Sequence, residues 1–154
     1  MNAAVNAFFL ILKLLSLYFL VVSLFSLCKR KMQKSSTTQR RFAVLIAARN
    51  EESCIAGLIE SLLAQNYPSE LFDIWVLPNN CTDHTADAAR HAGGKVLEMP
   101  TSIHSKGAAL QYAANTLLHG SRYYDAFCVF DADNSVDPAF LSEMNQAPVT
   151  YTHL

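Results

Sequence analysis

The chain has 154 residues, of which 51% are hydrophobic and 16% are charged. This length allows one domain, and the composition is too apolar for a disordered protein and too poor in charge for a nucleic-acid-binding protein. The charge is unevenly distributed, because residues 1–41 carry seven basic and no acidic side chains while residues 42–154 carry five basic and thirteen acidic ones. The sequence therefore predicts a basic, apolar leader followed by an acidic domain.

The leader has the features of a membrane anchor. Phe8–Cys28 is a run of 21 residues with one charge, Lys13, and about 20 apolar residues suffice to cross a bilayer. The basic segment Lys29–Lys34 follows the run, which predicts a single-pass membrane protein with its N-terminus outside and its domain in the cytoplasm. We therefore divide the chain into four parts: a transmembrane helix at 1–28, a basic cytoplasmic linker at 29–41, a domain at 42–146 and an irregular tail at 147–154.

Apolar runs alternate with helical patterns along the domain. Phe42–Ala48 is continuously apolar, as expected for a strand that is buried on both faces. Further strands are predicted at 72–77, 95–98 and 125–130, and helices at about 55–63, 83–92, 106–118 and from 137 onward. This order predicts an α/β fold with a mostly parallel, Rossmann-like sheet.

In such sheets, ligands bind at the carboxyl ends of the strands. The segment after the first predicted strand lacks glycine, which excludes both a dinucleotide-binding turn and a P-loop. Short polar, acidic and basic side chains are expected to converge on this edge from four loops, at 48–52, 78–83, 104–107 and 131–134.

The sharpest local pattern is Asp131-Ala132-Asp133 at the end of the fourth predicted strand. Two carboxylates two residues apart suit a hard divalent cation with oxygen ligands, which would bridge them to the phosphate oxygens of a ligand. On spacing alone, these residues are equally well explained as loop and capping positions.

Four motifs in order resemble those of family 2 glycosyltransferases with the GT-A fold. They are Ala47–Glu52, Asn80–Asp83 with Thr85-Ala86, Ser105–Gly107 with Ala109-Leu110, and Val129–Asn134 with Val136–Pro138. The resemblance covers about residues 42–145. It implies the nucleotide-binding half of an inverting, metal-assisted glycosyltransferase with a nucleotide-sugar donor, a UDP-sugar, and a glycan or lipid acceptor.

The resemblance also implies roles for individual residues. Asp133 would hold a Mg²⁺ or Mn²⁺ ion that binds the diphosphate of the UDP-sugar, and Asp131 would contact the ribose or a metal-bound water. The nucleotide-sugar would be bound by these residues together: Ala48, Arg49, Glu51, Asn79, Asn80, Lys106 and Asp131. Asn79 stands where many members of the family have an aspartate that contacts uracil, and an amide keeps an acceptor but loses the charge.

The general base of this family lies beyond the D-x-D segment, and 21 residues follow Asp133 in this chain. We therefore expect no catalytic base before Leu154 and interpret the chain as a truncated, inactive donor-binding half. Two alternatives remain: a phosphatase of the haloacid-dehalogenase type, whose D-x-D motif opens its fold, and a non-catalytic, membrane-anchored protein that binds a nucleotide or a partner.

Overall fold

The computed structural model describes residues 2–27 and 38–147. The chain divides into two units, residues 1–33 and 34–154. Most of the predicted linker and nearly all of the predicted tail lie outside the described residues.

The first unit contains one long helix, α1, over Asn2–Leu27. Within it, Val5–Leu24 spans 20 residues with a mean hydropathy of 2.4, so length and composition make it a candidate membrane span. Signal sequences near an N-terminus share these two properties.

The second unit is a parallel sheet with helices on both faces. Its strands are β1 (Phe42–Ala48), β2 (Phe72–Pro78), β3 (Lys95–Val96) and β4 (Ala126–Asp131). Its helices are α2 (Ile55–Leu63), α3 (Thr85–His91), α4 (Lys106–Leu118) and α5 (Phe140–Gln146). The strand order is β3-β2-β1-β4, and every pairing is parallel, so the predicted fold class is confirmed.

The central strand β1 separates two hydrophobic cores, because successive side chains of a strand point to opposite faces. Val44 and Ile46 pack on one face with apolar residues of α2, α3 and α5. Ala43 and Leu45 pack on the other face against α4. Burial on both faces explains why this segment is apolar at every position rather than at alternate ones.

The structure corrects several predicted boundaries. The residue that caps α3 is His84 rather than Asp83, although Asp83 Oδ1 still accepts the Thr85 N–H at 3.1 Å. The third strand is two residues long, and β4 begins and ends one residue later than predicted. The last helix begins at Phe140, because Asp137 and Pro138 form a separate turn in which the Asp137 carboxylate accepts the Ala139 N–H at 2.8 Å.

Candidate functional site

A cleft of about 320 Å³ lies at the carboxyl ends of β1, β2 and β4. Its lining comes from β1, from the segments after β1 and β2, from the start of α4 and the segment before it, and from the end of β4: Ala47, Ala48, Arg49, Glu51, Asn79, His104, Lys106 and Asp131. Six of these residues were predicted from the sequence to bind the nucleotide-sugar. The parallel register brings them together, because Ala48 pairs with Pro78 and Ala47 with Asp131.

Glu51 is held at both its peptide groups and at its side chain. Its N–H donates to Thr85 Oγ1 at 2.9 Å, and its carbonyl accepts the Cys54 and Ile55 N–H groups at 3.2 and 3.0 Å. The Cys54 thiol donates to the Glu51 carboxylate at 3.0 Å. Hydrogen bonds at its N–H and at its carbonyl therefore fix the backbone of Glu51, whose side chain lines the cleft.

The Cys54 thiol lies in a negatively charged environment. The hydrogen bond to Glu51, burial and the charges of Glu51 and Asp133 raise its pKa to about 11. Asp133 does not line the cleft itself.

Asn79 and Asn80 occupy different environments. Asn79 is 7% exposed and lines the cleft, whereas Asn80 is exposed and lies beside it. Asn80 Nδ2 donates to Asn79 Oδ1 at 2.7 Å and to the Ile103 carbonyl at 2.8 Å. Asn80 therefore links the segment after β2 to the segment before α4.

Opposite charges meet at the rim of the cleft. Lys106, in the first turn of α4, forms an ion pair with Asp131 at the end of β4. Both side chains are at least half exposed, and an ion pair in water contributes only about 0–1 kcal/mol. An incoming anion or cation can therefore separate the two groups at little cost.

The donor set for a metal ion is partial. Over residues 2–27 and 38–147, no three His, Cys, Asp or Glu side chains form a group that could hold an ion. Asp133 is exposed, and its carboxylate has neither a hydrogen bond nor an ion pair within that part of the chain. Such a carboxylate fits a hard cation that completes its coordination with oxygens of a bound ligand.

His104 lines the cleft, in a loop that the sequence placed at this edge, but it was not among the predicted binding residues. Its ring Nδ1 lies 3.5 Å from Asn80 Nδ2, and the segment before α4 brings it to the site. A lone histidine without metal-ligand spacing does not indicate a binding role in a sequence. Where His104 lies in the fold depends on the conformation of the loop that precedes Lys106.

Curated relatives match short stretches of this chain. The β-monoglucosyldiacylglycerol synthase of Nostoc sp. is 40% identical over 43 residues, which are 28% of this chain and 9% of that protein. The Synechocystis sp. protein of the same name is 29% identical over 51 residues, which are 33% of this chain and 11% of that protein.

Solved structures resemble the chain over longer regions. A mannosyltransferase from Pyrobaculum calidifontis, in complex with GDP-Man and Mn²⁺, has a TM-score of 0.69 at 20% identity over 84% of this chain and 39% of that chain. Glucosyl-3-phosphoglycerate synthase from Mycobacterium tuberculosis has a TM-score of 0.53 at 26% identity over 67% of this chain and 38% of that one. The S. aureus protein TarS in complex with UDP has a TM-score of 0.55 at 22% identity, over 68% and 30% of the two chains.

The family match covers the sheet except for the first residue of β1. Residues 43–147 match Glycosyl transferase family 2, a region that also holds the cleft and α2 to α5. The sheet order and the likeness to solved glycosyltransferases agree with that match. The chain therefore belongs to glycosyl transferase family 2.

Proposed function

We propose that this chain binds the nucleotide-sugar donor of a membrane-anchored glycosyltransferase, and that the donor is a UDP-sugar held with Mg²⁺ or Mn²⁺. The observation that carries the proposal is the cleft at the carboxyl ends of β1, β2 and β4, where Glu51, Asn79, Lys106 and Asp131 converge. The alternative of a haloacid-dehalogenase phosphatase finds no support in the family match.

The nucleoside and the diphosphate of a nucleotide-sugar would contact different sides of the cleft. Asn79 presents an amide, which can both donate to and accept from a base edge, and one lone pair of its Oδ1 remains after the bond from Asn80. Glu51 lies beside it, within reach of a base or ribose. Lys106 and Asp131 form the charged rim, where a diphosphate would lie.

The cation would lie between the carboxylates and the diphosphate. Asp133 is the carboxylate available to it, and Asp131 becomes available once Lys106 turns from Asp131 to a phosphate. When bound, a divalent ion would offset the negative charge of the diphosphate. The mannosyltransferase structure contains GDP-Man with Mn²⁺, and a structure of glucosyl-3-phosphoglycerate synthase contains UDP-Glc with Mn²⁺, which supports this assignment.

We propose that the transfer inverts the configuration at the anomeric carbon of the sugar. An acceptor hydroxyl attacks that carbon, the bond to the diphosphate breaks, and a general base takes the hydroxyl proton. None of the cleft residues is assigned as that base, so the role proposed for this chain is on the donor side. A glycan or a lipid is the proposed acceptor, and a lipid agrees with the names of the matched synthases.

The N-terminal helix is proposed as a single-pass anchor. Val5–Leu24 is long and apolar enough to span a bilayer, and basic residues follow it in the sequence. The positive-inside rule then predicts that the N-terminus lies outside and the acidic unit in the cytoplasm.

The test is a calorimetric titration of the full chain, in detergent micelles, with UDP and separately with GDP and ADP. We expect UDP to bind in the presence of Mn²⁺ and to bind much more weakly in EDTA. Binding of GDP or ADP as tight as that of UDP would overturn the choice of a UDP-sugar, and no binding of any nucleoside diphosphate would overturn the donor-site proposal.

A further inference from the structure

The segments after β1 and β2 are joined side by side by a set of hydrogen bonds that we call the Asp83 bracket. Its members are Asp83, Thr85, Glu51 and Glu52. Asp83 Oδ1 accepts the Thr85 hydroxyl at 2.5 Å, and Asp83 Oδ2 accepts the Glu52 N–H at 3.2 Å. The Thr85 hydroxyl oxygen in turn accepts the Glu51 N–H at 2.9 Å.

Thr85 is the central member of the bracket. Its side chain is fully buried at the start of α3, 0% exposed, and is one of four buried polar or charged residues among those the structure describes. A threonine hydroxyl has one proton and two lone pairs, so giving the proton to Asp83 leaves its oxygen free to accept from Glu51. The direction of both hydrogen bonds is therefore fixed.

Asp83 sets this direction by remaining ionised. The hydrogen bond from the Thr85 hydroxyl lowers its pKa, burial opposes this, and the N–H groups of Thr85 and Glu52 lower the pKa further. An ionised carboxylate only accepts hydrogen bonds, which obliges the Thr85 hydroxyl to be the donor. The other oxygen of the Asp83 carboxylate, Oδ2, accepts the N–H of Glu52, the residue after Glu51.

We propose that Thr85 is a positioning residue for nucleotide binding: it holds the Glu51 peptide, and with it the Glu51 carboxylate, at the cleft. The proposal rests on the assignment of the cleft as the donor site. Thr85 does not line the cleft, so it would act only through Glu51.

Two substitutions separate the hydroxyl from the methyl group of Thr85. Thr85→Val keeps the shape and loses the hydroxyl, whereas Thr85→Ser keeps the hydroxyl and loses a buried methyl. If the hydroxyl positions Glu51, Thr85→Val binds UDP about tenfold more weakly, as a lost acceptor for a backbone N–H implies. Thr85→Ser then binds UDP as the wild type does, even though it is the variant with the packing defect.

The matched control is Thr116→Val in the full chain. The Thr116 hydroxyl donates to the Tyr112 carbonyl on the exposed side of α4, away from the cleft, so we expect unchanged UDP affinity. Amide hydrogen exchange adds a readout without nucleotide, in which the Glu51 N–H exchanges faster in Thr85→Val than in the wild type or in Thr85→Ser. We expect Asp83→Ala, at a partly exposed position, to weaken UDP binding and to speed the exchange of the Glu51 N–H as well.

The possible failures can be told apart. If the wild type does not bind UDP, the donor-site assignment fails first. If the wild type binds UDP and Thr85→Val binds equally well, or if Thr85→Ser is impaired as much as Thr85→Val, the positioning role of Thr85 is overturned.

Discussion

Asn50 and Asn80 occupy equivalent positions, each two residues after the end of a strand and each in the left-handed region, with φ of 58° and 53°. Asn50 Oδ1 accepts the Thr82 N–H at 2.8 Å, and Asn80 Nδ2 donates to the Ile103 carbonyl at 2.8 Å. Each asparagine thus ties its own segment to the next one along the cleft. Asparagine tolerates this backbone conformation better than most residues.

The first prediction concerns Asn80. We expect Asn80→Ala to destabilise the protein by about 2 kcal/mol, because it adds left-handed strain to the loss of the side-chain hydrogen bonds. Asn80→Gly removes the strain and should be less destabilising than Asn80→Ala. Urea unfolding followed by the fluorescence of Trp75 measures both, and equal losses would contradict the role of φ.

A second prediction concerns the reactivity of Cys54. Because the Glu51 carboxylate raises the pKa of this thiol, Glu51→Gln should lower that pKa and increase the thiolate fraction at pH 8. Alkylation of Cys54 by iodoacetamide, followed by peptide mass spectrometry, should therefore become several-fold faster. The control is Glu52→Gln, since the Glu52 carboxylate accepts the His84 N–H instead; equal rates in both variants would show that Glu51 does not protect the thiol.

A third prediction concerns Asp73, a 6% exposed carboxylate on β2 far along the strand from the cleft. It pairs with Lys95 at 2.7 Å and with Arg122 at 3.0 Å, and it accepts the Tyr124 hydroxyl at 2.6 Å. Burial alone would raise its pKa, but the hydrogen bonds from Lys95 and Tyr124 and the two positive charges lower it overall.

A lowered native pKa stabilises the fold above the unfolded-state pKa, about 3.9, and this contribution is lost as the pH falls through the native value. At pH 7 we expect Asp73→Asn to lower the free energy of unfolding by about 2–3 kcal/mol. The difference from the wild type should shrink below about pH 4. A difference that stays constant from pH 7 to pH 3 would contradict this, and Asp87→Asn, at an exposed ion pair, serves as the control.

A fourth prediction concerns β4, the last strand in the sheet order. Among the described residues nothing pairs with its outer edge, and Val129 on this strand is 50% exposed. Open apolar edges promote association between chains, and a lysine on the edge opposes it. Val129→Lys should therefore reduce the aggregation of the full chain in light scattering, whereas an unchanged onset would show that association occurs elsewhere.

Much of the fold follows from local sequence patterns. The continuous apolar run Phe42–Ala48 predicts a strand that is buried on both faces, and the structure has β1 at these bounds. The proline at 148 explains why α5 ends at Gln146, since the residue before a proline avoids helical backbone and Ala147 has ψ of 136°. These signals act over a few residues, so they are visible in a sequence.

The details of the site depend on contacts that no local pattern contains. The sequence motif included Thr85 but gave it no role, because its partner Glu51 lies 34 residues away in the chain. His104 reaches the cleft, and Asn80 bridges beside it, through loops whose conformations are determined by tertiary hydrogen bonds. Because the predicted strands are parallel, the sequence nevertheless predicted that the cleft lies at their carboxyl ends.

In the proposed donor site, a divalent cation would link this chain to a nucleoside diphosphate through Asp133. The most direct test is the Mn²⁺-dependent affinity for UDP of the wild-type full chain, of Asp133→Asn and of Asp131→Asn/Asp133→Asn, with exposed Asp137→Asn as the matched control. We expect the wild type and Asp137→Asn to bind UDP more tightly with Mn²⁺ than with EDTA, and the two Asp133 variants to lose this gain. Mn²⁺-dependent binding that persists in Asp131→Asn/Asp133→Asn would contradict the metal assignment.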